Sequence, residues 1–303
     1  MTNFPWFQFY PASVDKEVNC EAYSSINELF EESVQKYGNA VAFECMGKTI
    51  SYNELDKLSA QFANYLTQVL KLEKGSRVAI QMPNILQYPV AMFGALRAGM
   101  VVVNTNPLYT PTEMKHQFID SGADVIVIVE NFASNLEKIR NEIQAKHIIL
   151  TELGDLLGGL KGMIVNMVVK HVKKMVPPFS ISGAVSFKSA LSKGAAHTFR
   201  PVQISLKDPA FLQYTGGTTG VSKGAELTHG NIVANMQQIS AWMKPKLRDQ
   251  EEIVITALPL YHIFALTVNC LAMLKIGAHN VLITNPRAVS YTHLRAHETG
   301  RNL

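Results

Sequence analysis

The sequence predicts an α/β protein built on a largely parallel sheet with helices on both faces. Three observations carry the prediction. Short Val/Ile-rich runs recur along the chain, they are separated by segments whose apolar residues fall at helical spacing, and 303 residues are enough for two domains or one large α/β unit. Runs that are apolar throughout, rather than alternating, suit strands covered on both sides.

The elements follow in order. Ile26, Leu29, Phe30 and Val34 give a helix over 26–37, and Gly38 supplies its stop. A hairpin is expected next, with strands 41–45 and 49–52 flanking Met46-Gly47-Lys48. Ser51-x-x-Glu54 reads as a capping box, opening a helix with Leu55, Leu58, Phe62, Leu66 and Val69 on one face. Strand and helix then alternate: strand 77–82, helix 84–98, strand 100–103, helix 112–119, strand 124–129, helix 134–144 and strand 147–150.

Composition removes several function classes. Hydrophobic residues at 47% against 17% charged exclude an intrinsically disordered chain, which lacks the apolar surface to offset ordering entropy. A formal charge of +4 is too small to point to nucleic acid unless it is concentrated. Cys20, Cys45 and Cys270 are far apart and odd in number, which suits a reducing compartment. Residues 1–10 are aromatic rather than basic and do not read as a signal peptide, and no apolar run reaches the roughly 18 residues of a membrane span. A cytoplasmic protein is expected.

Residues 151–200 break the rhythm with Gly154, Gly158-Gly159, Pro177-Pro178, Gly183 and Gly194, and read as an excursion over the surface. Within it Ile164, Val165, Val168, Val169, Val172, Met175 and Val176 share one helical face, and Asn166, Lys170, Lys173 and Lys174 the other. Such a helix either packs its apolar face on its own domain or lies on an anionic membrane surface.

The densest chemistry lies in Tyr214-Thr215-Gly216-Gly217-Thr218-Thr219-Gly220-Val221-Ser222-Lys223-Gly224-Ala225. Glycines let backbone N–H groups approach a ligand, Thr215, Thr218, Thr219 and Ser222 add hydroxyls, and Lys223 adds a full charge. An apolar strand precedes this stretch, a short strand over 225–228 follows, and a helix opens near Asn231, so the loop should project from a sheet edge. A polyphosphate is the expected ligand. Neither G-x-x-x-x-G-K-[ST] nor G-x-G-x-x-G aligns with it. A flexible Gly/Thr linker is the alternative, and it is a poor account of a lysine and four hydroxyls between two strands.

With Leu227-Thr228-His229, this loop resembles the signature of the acyl-adenylate-forming enzymes, and among them the bacterial long-chain fatty acyl-CoA ligases. Thr256-Ala257-Leu258-Pro259-Leu260-Tyr261-His262-Ile263-Phe264-Ala265-Leu266 resembles the family's next motif. Met82-Pro83-Asn84, Gln87-Tyr88-Pro89, Arg97-Ala98-Gly99 and Asn106-Pro107-Leu108-Tyr109-Thr110-Pro111 agree as well.

The resemblance implies part of the large amino-terminal domain of that fold over 1–287. It implies an enzyme that joins a long-chain fatty acid to ATP with Mg²⁺, releasing pyrophosphate, and passes the acyl group to CoA. Tyr214 through Ala225 would bind the nucleotide, Lys223 and Thr218 would act on its phosphates, and His262 would sit near the reacting carboxylate. Without the second motif His262 would read as a core histidine. The run Ile263, Phe264, Leu266, Val268 and Leu271 would be core helix and a wall of the acyl tunnel. Fatty acid, ATP, CoA, a second copy in a homodimer and the cytoplasmic face of the inner membrane are the implied partners; nucleic acid is not. An aryl or medium-chain acid–CoA ligase, a fatty acyl-AMP ligase, and a non-catalytic nucleotide- or membrane-binding fragment stay open as alternatives.

Two departures accompany it. The later motifs, with the glutamate that assists Mg²⁺, the aspartate for the ribose and the lysine of the carboxy-terminal lid domain, are not in these 303 residues, so activity of the chain alone is not expected. Residues 288–303 resemble nothing in the family and read as a non-native tail. His293 and His297 are spaced i, i+4, but Glu298 stands outside an H-E-x-x-H arrangement, and no metal site is assigned.

Overall fold

The computed structural model of the chain describes residues 4–215 and 222–285. Residues 216–221 of the Gly/Thr loop and the expected tail lie outside the described residues. Two sheets organise the rest. The larger has seven strands in the order β7-β6-β5-β3-β4-β8-β9: β3 is Arg77–Gln81, β4 Val101–Asn104, β5 Val125–Val129, β6 His147–Thr151, β7 Val185–Ser186, β8 Pro209–Thr215 and β9 Lys223–Thr228. Every pairing in it is parallel except β8 with β9. The smaller sheet runs β10-β11-β1-β2, from Ile253–Thr256, His279–Leu282, Val41–Cys45 and Lys48–Ser51. The expected hairpin is thus present, but its first strand pairs parallel with β11, Phe43 opposite Asn280.

Both-sided burial explains the uniform Val/Ile runs. Val78, Ile80, Val102, Val125 and Val127 face one apolar core, while Ala79, Val103, Ile126 and Ile128 face a second, so neighbouring residues of one strand enter different layers.

Helix α1 (Ile26–Tyr37) keeps its expected bounds. In α2 (Tyr52–Asn64) the Ser51 hydroxyl accepts from the Glu54 N–H, the serine half of the expected box, and the helix continues as a wider turn over Tyr65–Val69. A complete box forms at α4 (Pro111–Asp120), between Thr110 and Glu113. Helix α3 (Gln87–Arg97) is buried on every side, packed on α1, α2, β3 and β4. Helix α5 (Ala133–Ile139) is shorter than expected, ending in a tight turn over Arg140–Glu142.

The surface excursion read into 151–200 is only half right. Strand β7 extends the large sheet, and α7 (Phe187–Ala195) buries Phe187, Ala190 and Leu191. Ahead of both, between β6 and β7, α6 (Gly159–Met167) runs into a wide turn over Val168–Val172. That turn breaks the 100° phase, so the single apolar face predicted for 164–176 is split. Val165 packs toward the core, whereas Leu160, Met163, Ile164, Met167, Val172 and Met175 are all exposed. What docks α6 is polar and small. Asn166 accepts from the Gly154 N–H at 2.6 Å and donates to Glu152 at 2.9 Å, and a Cβ on Gly162 would fall 2.4 Å from the Gly154 carbonyl oxygen. Among the described residues no helix is long and apolar enough to cross a membrane.

Arg97, from one of the family-like blocks, fastens α3 to α2. Only 5% exposed, it donates to the Asp56 carbonyl and the Ser59 hydroxyl at 2.8 Å each, pairs with the Asp56 carboxylate at 2.9 Å, and lies over the Phe199 ring. An ammonium cannot fill this fork. Arg97→Lys should therefore lower the unfolding free energy by about 2 kcal/mol in urea denaturation; a loss below about 0.5 kcal/mol, the range of unremarkable surface changes, would contradict the assignment.

Candidate functional site

The site is assembled where the parallel strands end at their carboxyl edge, the usual ligand edge of open α/β sheets. Strands β3, β4 and β8, otherwise apolar, finish near buried amides: Gln81, Asn104 and Gln213. Buried amides favour pairing: Asn104 and Gln213 pair with one another and with the surrounding groups, while Gln81 pairs through its amide nitrogen alone. Asn104 donates to Gln213 Oε1 at 3.1 Å, Gln213 donates to the Tyr261 carbonyl at 3.1 Å, and Gln81 donates to the Asn106 carbonyl at 3.2 Å. The Tyr88 hydroxyl lies 2.7 Å from Asn104 Oδ1 and 2.9 Å from the Leu260 carbonyl. Asn84 completes the frame, donating to the Thr256 and Leu258 carbonyls at 2.9 Å and accepting from the Leu260 N–H at 2.8 Å.

These bonds tie the two sequence motifs together. Gln213 precedes Tyr214 in the first, and Tyr261 precedes His262 in the second. His262 is exposed, which removes the core-histidine reading; its Nδ1 accepts weakly from the Phe264 N–H at 3.4 Å and caps α9 (Ile263–Ala265). The helix continues as a wide turn over Leu266–Ala272, where Leu266 and Leu271 are buried while Phe264 stays exposed.

Strands β8 and β9 form the expected hairpin at the sheet edge, with Thr215 opposite Lys223. Lys223 opens β9, earlier than the strand predicted over 225–228, and α8 (His229–Met243) begins at His229 rather than near Asn231, behind a full Thr228/Asn231 capping box. Lys223 and Thr215 are exposed, and among the described residues Lys223 has no ion-pair partner. The Ser222 hydroxyl donates to the Thr215 carbonyl at 2.9 Å, closing the base of the hairpin. Gly216, Gly217, Thr218, Thr219, Gly220 and Val221 fall outside the described residues.

Three residues of the signature, Tyr214, Gly224 and His229, turn out to have packing reasons. The Tyr214 ring covers Gly224, where a Cβ would come within 2.9 Å of the ring, and the Tyr214 hydroxyl donates to Asp120 at 2.5 Å. Burial and the neighbouring Asp120 charge push that hydroxyl's pKa up. His229 is likewise buried, its Nδ1 accepting from the Ile26 N–H at 3.2 Å.

Sequence reasoning missed the roles of Asn104, Gln213, Tyr88 and Asn84. A signal was there: each of β3, β4 and β8 is an apolar run ending near an amide. Among the described residues no group of three or more His, Cys, Asp or Glu side chains could hold a metal ion.

The family described as AMP-binding enzyme matches residues 30–298. The chain is 52% identical over 284 residues to a long-chain-fatty-acid–CoA ligase of Escherichia coli O6:H1, covering 94% of this chain and 51% of that protein. Against the enzyme of the same description from Haemophilus influenzae, identity is 49% over 286 residues, with the same coverage. The chain thus spans about half the length of the curated relatives it matches. Among solved structures, an anthranilate CoA ligase in complex with anthranoyl-AMP superposes with a TM-score of 0.73 at 19% identity, over 90% of this chain and 47% of that one. A long-chain-fatty-acid–CoA ligase from Archaeoglobus fulgidus gives 0.71 at 19%, over 90% and 49%. At such identities these two speak for the fold.

His229 sets a pH dependence. Burial pulls its pKa down from 6.5 to about 4, so the imidazole is neutral when folded and the unfolded chain takes up the proton first. Its contribution is complete above pH 6.5 and is lost as pH falls through 4, on the order of 3 kcal/mol over that window. Urea midpoints should therefore drop between pH 7 and pH 4.5, and His229→Gln should flatten the slope; equal slopes would refute the assignment.

Proposed function

The chain belongs to the AMP-binding enzyme family, and from that premise we propose that it is the amino-terminal part of a long-chain fatty acid–CoA ligase. The reaction begins with a carboxylate, a poor acyl donor because its leaving group would be oxide. Attack of the carboxylate on the α-phosphate of ATP expels pyrophosphate and makes a mixed anhydride with AMP. The CoA thiol then displaces AMP to give the thioester. ATP and CoA are the co-substrates usual in this family, with Mg²⁺ the usual metal.

In this reading Lys223, Thr215 and Ser222 hold the departing pyrophosphate, with the remaining hydroxyls and N–H groups of the signature, Thr218 among them, beside it. The chemistry asks for donors that stabilise growing negative charge without having to reorganise. His262 stands at the adjoining edge, where the carboxylate would be activated. The observation that carries the reading is the Gln213–Tyr261 bond, which joins the two motifs at the carboxyl edge of the sheet. A lysine with no ion-pair partner among the described residues, exposed at the mouth of a hairpin, fits an anion there.

Peripheral association with an anionic membrane is a second part of the proposal, and the outward face of α6 favours it. Its exposed apolar side chains lie beside Lys161, Lys170, Lys173 and Lys174, with no carboxylate in 159–176. Those four lysines equal the formal +4 of the whole chain; Lys170 pairs with Glu130 at 3.8 Å, and Lys161, Lys173 and Lys174 leave positive charge where the apolar side chains are exposed.

Two measurements test these readings. Calorimetry with MgATP should show Lys223→Ala weakening binding by about 10- to 100-fold with unchanged circular dichroism, the worth of a charge-assisted bond; an unchanged Kd would remove the phosphate assignment. In flotation with phosphatidylglycerol vesicles, the chain should bind, and replacing Lys170, Lys173 and Lys174 with Gln should release it. Binding that is absent, or equal on neutral vesicles, would discard the membrane surface.

A further inference from the structure

The β8–β9 hairpin is gripped from a second direction by α4, a helix that neither signature motif contains. His116 Nε2 lies 2.9 Å from the Ser222 carbonyl oxygen. A carbonyl only accepts, so this nitrogen carries the hydrogen. One turn further along, Asp120 accepts from the Tyr214 hydroxyl at 2.5 Å. The contacts fall on both arms of the hairpin, Tyr214 on β8 and Ser222 ahead of β9, and His116 and Asp120 are spaced i, i+4 so that one face of α4 presents both.

The helix has firm footing for this. Met114 and Phe118 are buried in the second core, Gln117 donates to the Asn104 carbonyl at 2.9 Å, and the Thr110/Glu113 box fixes its first turn. Helix α4 is therefore anchored to β4, the strand beside β8, and reaches across to the hairpin from there.

We infer that His116 and Asp120 are positioning residues that set the direction in which Thr215 and Lys223 face their ligand. The inference rests on the nucleotide reading above. Neither side chain need touch the ligand. His116 pins the carbonyl adjoining Lys223, and Asp120 pins the tyrosine adjoining Thr215, so the lysine and the threonine leave the sheet from a fixed base. Holding donors in place beforehand spares the ligand the ordering entropy of two backbone segments.

The test uses the full chain with two readouts: MgATP affinity by calorimetry, and amide exchange over residues 211–228 by mass spectrometry. His116→Leu should speed exchange of this hairpin and weaken MgATP binding, each by about tenfold, as expected for one lost hydrogen bond. His116→Gln, whose amide can still donate to the carbonyl, should restore both. Tyr214→Phe, which keeps the ring over Gly224 but loses the bond to Asp120, should behave like His116→Leu and serves should that variant fail to fold. Wild-type exchange in both His116→Leu and Tyr214→Phe, or a glutamine variant no better than leucine, would overturn the inference. Should the unsubstituted chain bind no MgATP, the nucleotide reading falls, and the exchange comparison with its glutamine rescue still decides whether α4 holds the hairpin.

Discussion

A buried amide that finds no partner costs about 1–3 kcal/mol, and the region around the site is arranged so that several avoid that cost together. Asn104 and Gln213 are nearly inaccessible to water at the ends of adjacent strands. They satisfy each other and then reach outward, to Tyr88 on α3 and to the Tyr261 backbone. Each bond is ordinary in strength. Their joint effect is to make the large sheet, the central helix and the His262 segment one unit, because moving any of them would strand a polar group away from water. Asn84 does the same for the backbone of Thr256, Leu258 and Leu260.

Much of the fold was legible in the sequence, and the legible parts share a cause. Strands β3, β4, β5 and β6 are buried on both faces, so their apolar runs are uninterrupted, and α1 shows its periodicity because one face meets solvent. Helix α3 was readable by its length and flanking residues rather than its period, being buried all round. Illegible features depended on distant partners. Nothing in Val41–Cys45 says that it will lie beside His279–Leu282, and nothing in Val185–Ser186, two residues long, marks it as the seventh strand.

The site shows the same division. Lys223 and the hairpin at the sheet edge could be read from residue type and spacing. The reasons behind Tyr214, Gly224 and His229 could not, since a ring over a glycine, a phenol on Asp120 and an imidazole beneath α1 are three-dimensional facts. Helix α6 misled in the opposite sense. Its pattern is amphipathic, yet what holds it is Asn166 and a glycine contact, while most of the large apolar side chains point away from the domain. A wide turn in mid-helix was enough to defeat the 100° count.

The smaller sheet carries a cost that falls on synthesis. Because β1 lies between β2 and β11, and β11 in turn carries β10, the hairpin of Val41–Ser51 leaves the ribosome with one hydrogen-bonding edge vacant until residues 279–282 follow. At about 5–20 residues per second that interval is on the order of ten seconds or more, long against the microseconds in which a hairpin closes. Throughout it the nascent chain offers an unprotected strand to its neighbours. Slow, non-local pairing of this kind predisposes a protein to chaperone dependence, a demand that arises during birth and leaves no trace in the finished molecule.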